Sequence, residues 1–447
     1  MKHSIIIDYK LCRGCTTCMR SCPTEAIRVR RGKAIILADR CIDCGTCSRV
    51  CPHRAVTSIV DKWEALDKFE YRVALPSPVL YGQFQNLDDI DIVLNGLLEI
   101  GFQEVYEVAK AAELLSDQAR QKISSNSVKV KPRISSACPT VMRLICIRYP
   151  KLIPHIIPSV TPVELAAILA RKEAAEKSGL PPEKIGVFSI VPCPAQVTAS
   201  HTPVALQQSV IDGAFSIKDV YLKLLTPMKE LKELKPLSSA GIMGVGWSYC
   251  GGESAARLGQ SYLAVDGIEN VIRMLEEIED GRLPEADFIE LSACVEGCVG
   301  GCLTVENPFG AHMRIKELMN GLPVSRNRFS DLDGVTAEVA DPDKTLEYLP
   351  VLLLDTDRAA AMEKMLKIDE LESQLPGLHC GSCGAPSCHA FAEDVVLGRA
   401  SQEDCIFKMR ERMQYMAGER DADAYLPAPF RQQAAPRGGT PENISRR

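Results

Sequence analysis

Nineteen of the 447 residues are cysteine, and most of them fall in short runs. The stretch ELSACVEGCVGGC, Glu290 to Cys302, spaces three thiols four residues apart. Four residues is about one helical turn, so on a helix these thiols share a face. Such a face is poor packing material and a good metal ligand. Near the start, CRGCTTCMRSCP and CIDCGTCSRVCP both read C-x2-C-x2-C-x3-C-P, and near the end Cys380, Cys383, Cys388 and Cys405 read C-x2-C-x4-C-x16-C. Runs this tight suit thiolates wrapped around metal better than a disulfide framework.

The first two runs have the bacterial ferredoxin pattern for two [4Fe–4S] clusters, in which the fourth cysteine of each run serves the other cluster. That pattern assigns Cys12, Cys15, Cys18 and Cys51 to one cluster and Cys41, Cys44, Cys47 and Cys22 to the second. Pro23 and Pro52 turn the chain away after the crossing cysteines. The flanks repeat as well, IIIDYKLC against AIILADRC, each an apolar strand leading into its loop. Zinc, the competing metal, takes two cysteine pairs per site rather than two runs of four. The last run resembles the small four-cysteine Fe–S domain of several electron-transfer proteins. Cys380, Cys383, Cys388 and Cys405 then hold a third [4Fe–4S] cluster, with zinc as the alternative.

The elements between these runs must position the remaining thiols. YRVALPSPV reads as a strand and DDIDIVLNGLLEIG as a helix ended by Gly101. In TPVELAAILARKEAAEKSG, Thr161 is the N-cap, Pro162 sits at the first position, Glu164 closes a capping box and Gly179 ends the helix. KIGVFSIVPC and ADFIELSAC are apolar runs of strand length. Cys138, Cys193 and Cys294 each follow such a strand, where α/β folds bind ligands, and Cys298 lies one turn beyond Cys294. Four converging thiolates make a cubane site. Cys146, in RLICIRY, reads as a buried hydrophobe. Cys250 and Cys302 read as packing residues, with a cofactor-facing role open to each. None of the seven histidines has zinc spacing.

Three of these segments resemble the signature loops of the [FeFe]-hydrogenase large-subunit catalytic domain. They are SSACPTVMRLICIRYPKLIPHIIPSVTP, VPCPAQVTA and ELSACVEGCVGG, with YCGGESAA as a weaker fourth. The likeness spans Tyr71 to Leu318. It implies that Cys138, Cys193, Cys294 and Cys298 hold a [4Fe–4S] cubane and that Cys298 bridges to a diiron unit, completing an H-cluster. It also marks departures. Ala137 stands where the family has its proton-passing cysteine, and Ile157 where a relay serine is expected. Gln196 replaces a lysine that bonds a cyanide ligand, leaving an uncharged second-shell donor. Val191 and Ser292 replace methionines, and Cys302 replaces a glycine. The nearest carboxylates upstream of the first loop are Glu113 and Asp117. The electron side is kept and the proton side is cut back, a pattern similar to sensory rather than productive members.

The composition is that of an ordinary soluble chain, with 46% hydrophobic and 25% charged residues and a net charge of −6. Nothing suggests a nucleic-acid surface, and IRVRRGKAII reads as the solvated turn of a hairpin. No apolar run approaches the ~18 residues of a membrane span. The start, MKHSIIIDYK, is too short and charged for a secretory signal, so a cytoplasmic location is expected. The expected fold is α/β: a two-lobed hydrogenase-like core over 61–360, after a ferredoxin-type domain over 1–60 and before a small Fe–S domain over 361–424. DRAAAMEKMLKIDELESQ reads as a connecting helix, and 425–447 as a disordered tail. The expected function is an iron–sulfur redox protein of sensory type. It exchanges electrons with a ferredoxin, a flavoprotein, or a signalling kinase or phosphatase, with H2 and protons at the central site. A cubane-only electron-transfer subunit and a slow hydrogenase are the alternatives.

Overall fold

The computed structural model describes residues 2–124, 130–256, 261–283, 285–351 and 353–417. The expected disordered tail lies outside them. The chain forms two compact units, Met1–Leu352 and Leu353–Arg447.

In the first unit the N-terminal repeat builds two antiparallel pairs, Ile5–Ile7 with Val56–Ser58 and Ile27–Arg30 with Lys33–Ile36. The second pair is the hairpin read from IRVRRGKAII. Its turn is Arg31 and Gly32, both at positive φ, the geometry of a two-residue hairpin loop. The run is less solvated than its charge suggests: Arg28 is buried and donates to the carbonyls of Glu25 and Ile27.

Two parallel sheets follow. One orders Glu104–Val105, Tyr71–Pro76, Ile185–Val191 and Gly213–Ser216. The other orders Tyr262–Asp266, Phe288–Ser292 and Arg133–Ile134. The strand Ile185–Val191 is buried at every position, as a central parallel strand covered on both faces must be. The helix Pro162–Ser178 has the capping box read from the sequence, with Thr161 and Glu164 bonded reciprocally and Gly179 in the left-handed region.

The helix Val108–Ser124 fixes the irregular chain beside the sheets. Its buried Glu113 accepts four hydrogen bonds, from the amides of Gly241, Arg326 and Asn327 and from Asn327 Nδ2. Glu107, just before the helix, likewise accepts from Tyr81, Ser239 and Ala240. One of the Glu113 bonds falls on Oε1 and three on Oε2, so Glu113 ties the Gly241 and Arg326–Asn327 segments to the helix. Asp117 pairs with Arg120 and Gln121 on the same helix.

In the second unit the helix Arg358–Ser373 is more than the connector read from the sequence. It buries Ile368 and Leu371 in a core shared with Ala390, Phe391 and Cys405.

Glu113→Ala would strand four donors in the interior, at a cost on the order of 3 kcal/mol. Glu113→Gln, which keeps the shape and one acceptor, should cost clearly less. Thermal and denaturant unfolding of the two variants checks the ranking.

Candidate metal centre and its surroundings

The N-terminal thiols gather into two groups. Cys12, Cys15, Cys18 and Cys51 line one small space. Cys22, Cys41, Cys44 and Cys47 line a second. The surroundings of the two groups repeat. Ala26 N donates to Cys22 Sγ at 3.2 Å and Ala55 N to Cys51 Sγ at 3.3 Å, each four residues on. Cys15 pairs with Thr17, and Cys44 with Thr46. Amides aimed at sulfur favour thiolate and tune a bound cluster.

In the core, Cys138 and Cys193 are the N-caps of the helices Pro139–Arg148 and Pro194–His201. Cys138 and Cys294 follow strands of the three-stranded sheet, and Cys193 follows the central strand of the other. Two sheets thus deliver four thiols to one place. Burial pushes all of Cys138, Cys193 and Cys298 up, and their neighbours' charges add to it. A group of buried thiols that resists ionising alone is stabilised when a multivalent cation compensates its charge. This donor set fits an iron–sulfur cluster.

The segment Glu290–Cys302 is not a helix. The strand Phe288–Ser292 ends before Cys294, Glu296 and Gly297 take positive φ, and only Gly297–Gly300 forms a 3-10 turn. The left-handed pair breaks the helical register. Cys302 consequently leaves the face of Cys294 and Cys298. Its sulfur lies against Gly45, where an added Cβ would meet it at 2.5 Å. Burial pushes the Cys302 thiol up to about 12. Cys146 is buried as read. Cys250 is half-buried, pushed up to about 12 by burial and then by Glu290.

Beside Cys298 opens a small cavity of about 70 Å³ lined by Ala137, Val191, Gln196 and Trp247 among others. Gln196 Nε2 points at Cys298 Sγ from 4.0 Å. Ile157 is buried, its amide bonded to Ile134 O, and does not line this cavity. The cavity walls are mostly apolar.

Behind Ala137 stands a polar chain that the sequence reading missed. The Ala137 amide donates to Ser135 Oγ at 3.1 Å, and Ser135 donates to Glu253 Oε2 at 2.5 Å. Glu253 neighbours Glu290, whose oxygens accept from the amides of Gly251 and Ser254. Both carboxylates are 5% exposed. Burial first, and Glu253 second, raise Glu290 to about 7. The protonated form of Glu290 is thus favoured toward neutrality. The available signal was a lone Glu in the apolar strand FIELS.

In the second unit Cys383, Cys388 and Cys405 pack against Ala385, Ala390 and Phe391, and Cys380 is exposed. Gly381 and Gly384 take positive φ between the thiols, bending the chain tightly around them.

The carboxyl pair is open to spectroscopy. Glu290 binds its proton more tightly folded than unfolded. It therefore adds stability that is full below its ordinary pKa and is lost as pH rises toward about 7. The infrared carbonyl band of a protonated acid, shifted by deuterium, should be present at pH 6, fade through pH 7 and be absent in Glu290→Gln.

Comparison with known proteins agrees with this geometry. Residues 70–220 and 252–302 match the iron-only hydrogenase large subunit, C-terminal domain. Residues 4–56 match a 4Fe-4S dicluster domain, and 375–407 an Fe-S cluster family. The large subunit of the periplasmic [Fe] hydrogenase of Nitratidesulfovibrio vulgaris is 23% identical over 362 residues, which is 67% of this chain and 86% of that protein. Among solved structures, a variant of [FeFe]-hydrogenase HydA1 from Chlamydomonas reinhardtii aligns with a TM-score of 0.52 at 15% identity, over 64% of this chain and 98% of the other. An apo form of another variant gives 0.51 with the same identity and coverage. These structural likenesses show the fold. Thiol groups, sheet topology and family matches together show an iron–sulfur, [FeFe]-hydrogenase-like protein.

Proposed function

We propose that this is a low-turnover, sensory-type [FeFe]-hydrogenase-like protein. Its central site takes up a redox state set by hydrogen or by the electron pool, and its other clusters pass that state to a redox partner protein. The observation that carries the reading is the cavity at Cys298. Cys298 and the methyl group of Ala137 line the same cavity, at the place where a diiron unit would be held.

The proposed ligands are Cys138, Cys193, Cys294 and Cys298 for the core cubane, with Cys298 bridging. The two N-terminal groups of four hold two [4Fe–4S] clusters, and Cys380, Cys383, Cys388 and Cys405 a third. Loaded with its diiron unit, the site would supply reversible hydrogen chemistry. The chain's own residues then decide the rate. Gln196 holds its amide toward the cavity without a charge. Ala137 offers no proton at the point nearest the site, although Ser135 and Glu253 stand behind its backbone. A missing general acid–base group costs about 10²–10⁴ in rate. Among the described residues no helix is long and apolar enough to cross a membrane. A cytoplasmic setting is part of the proposal, although the periplasmic relative resides elsewhere.

Anaerobic reconstitution should give about 16 iron per chain, with about 2 more when the diiron unit is present. Iron near 12 with one zinc would make the last cysteine group a zinc site. Maturation with a diiron precursor should yield CO and cyanide infrared bands that Cys298→Ala abolishes. Their absence from fully reconstituted protein favours a cubane-only electron carrier.

Turnover supplies the next test. Ala137→Cys should raise hydrogen evolution per infrared-active site, by less than the ~10²–10⁴ of a complete acid–base group. A fast wild type, or an inert Ala137→Cys with its diiron signal intact, removes proton delivery as the distinguishing feature.

A further inference from the structure

Arg49 lies between two of the thiol groups and belongs to neither. It follows Cys47 on the short helix Thr46–Val50. Its Nη1 donates to Cys294 Sγ at 3.6 Å and to Gly300 O at 3.1 Å, and its Nη2 donates to Cys44 O at 3.2 Å. One guanidinium therefore spans from the backbone of a ligand in the N-terminal module to the sulfur of a ligand in the core. The two loops also touch directly at this point, with Cys302 Sγ packed on Gly45. Gly45 takes φ +71, and a side chain there has no room. The contact is thus fixed by backbone geometry, and Arg49 is its charged member.

The charge has a definite effect. The guanidinium is charged at any physiological pH, and its bond to Cys294 Sγ sets that charge against the sulfur. A cation bonded to a thiolate ligand lowers the energy of added negative charge on whatever that thiolate binds. We infer that Arg49 is a positioning residue for electron entry, which raises the midpoint potential of the iron–sulfur group held at Cys294 and so makes transfer from the group at Cys44 more favourable. The step is one electron leaving the Cys44 side and one arriving at the Cys294 side. No bond is made or broken and no proton moves.

The inference needs iron–sulfur groups at Cys44 and Cys294. It needs neither a diiron unit nor hydrogen turnover, so it stands or falls separately from the function proposed above.

The test is a redox titration, followed by electron paramagnetic resonance, of the full reconstituted chain without its diiron unit. Cys294→Ser identifies the signal of the central group by perturbing it. In Arg49→Leu the reduced-to-oxidised ratio of that signal, at fixed potential, should fall about ten-fold, a shift of about 59 mV for one electron. Arg49→Gln, closer in size and also neutral, should shift it in the same direction and decides the matter if the leucine variant fails to assemble its iron. Arg49→Lys keeps the charge and should restore at least half of the shift. Neutral variants with full iron and an unchanged midpoint overturn the inference. So does a lysine variant that shifts as far as leucine, because the arginine contacts would then be structural only.

Discussion

The Asp43 carboxylate has almost no contact with water, and the arrangement of the thiol groups depends on it. It lies between Cys41 and Cys44 and is 1% exposed. One oxygen accepts from Ser4 N, and the other from Thr198 Oγ1 at 2.7 Å and Arg143 Nη1 at 3.0 Å. Arg143 belongs to the helix that begins at Cys138, and Thr198 to the helix that begins at Cys193. Ser4 adds a second tie through its hydroxyl to Pro194 O. A single side chain in an N-terminal thiol loop therefore gauges the position of both helix starts that carry core thiols. Burying such a charge costs several kcal/mol, repaid only when every partner is in place. The interaction therefore favours one docking geometry over near misses more than it adds net stability. Electron transfer needs that geometry, since the contact of Arg49 with Cys294 and of Gly45 with Cys302 forms only when the two loops meet correctly.

The parts of the molecule legible in the sequence are those that local chemistry determines. A loop wrapping three corners of a cluster must carry C-x2-C-x2-C, so eight cysteines announce themselves and their crossing partners. The capping box at Thr161 and Glu164 and the turn at Arg31 and Gly32 are equally local. The core thiols were legible for a different reason. Each follows an apolar strand, and parallel sheets bring their carboxyl ends to a common edge.

What stayed hidden depends on contacts distant in sequence. Nothing in TCSRV says that Arg49 will reach Cys294, 245 residues away. Nothing near Cys41 says that Asp43 will face Arg143 and Thr198. The pair Glu253 and Glu290 comes from two segments 37 positions apart and is visible only once Gly251 and Ser254 close over it. The reading of Glu290–Cys302 as a possible helix went astray on a backbone feature. Spacing by four suits a helix, but Glu296 and Gly297 take the left-handed region, and a non-glycine residue there is seldom foreseeable from its type. Glu113, legible only as the nearest carboxylate upstream of the first loop, accepts four hydrogen bonds from segments more than 120 residues away.

The geometry separates two requirements that a hydrogen enzyme normally meets together. On the inference drawn above, electrons approach through Arg49, whose side chain is exposed. The cavity at Cys298 is walled mostly by apolar side chains such as Ala137, Val191 and Pro139, with Ser77, Thr161 and Gln196 as its polar members. The chain from Ser135 to Glu253 stops at a backbone amide, one side chain short of the cavity. A gap of this kind raises a barrier, and a barrier governs rate. It leaves untouched the free-energy difference between oxidised and reduced forms, which fixes the equilibrium poise. An enzyme built for flux is disabled by such a gap. On the function proposed here, a protein that has only to come to equilibrium and display its state to a partner is not, and slow exchange limits how much of the cell's reducing power it consumes while doing so.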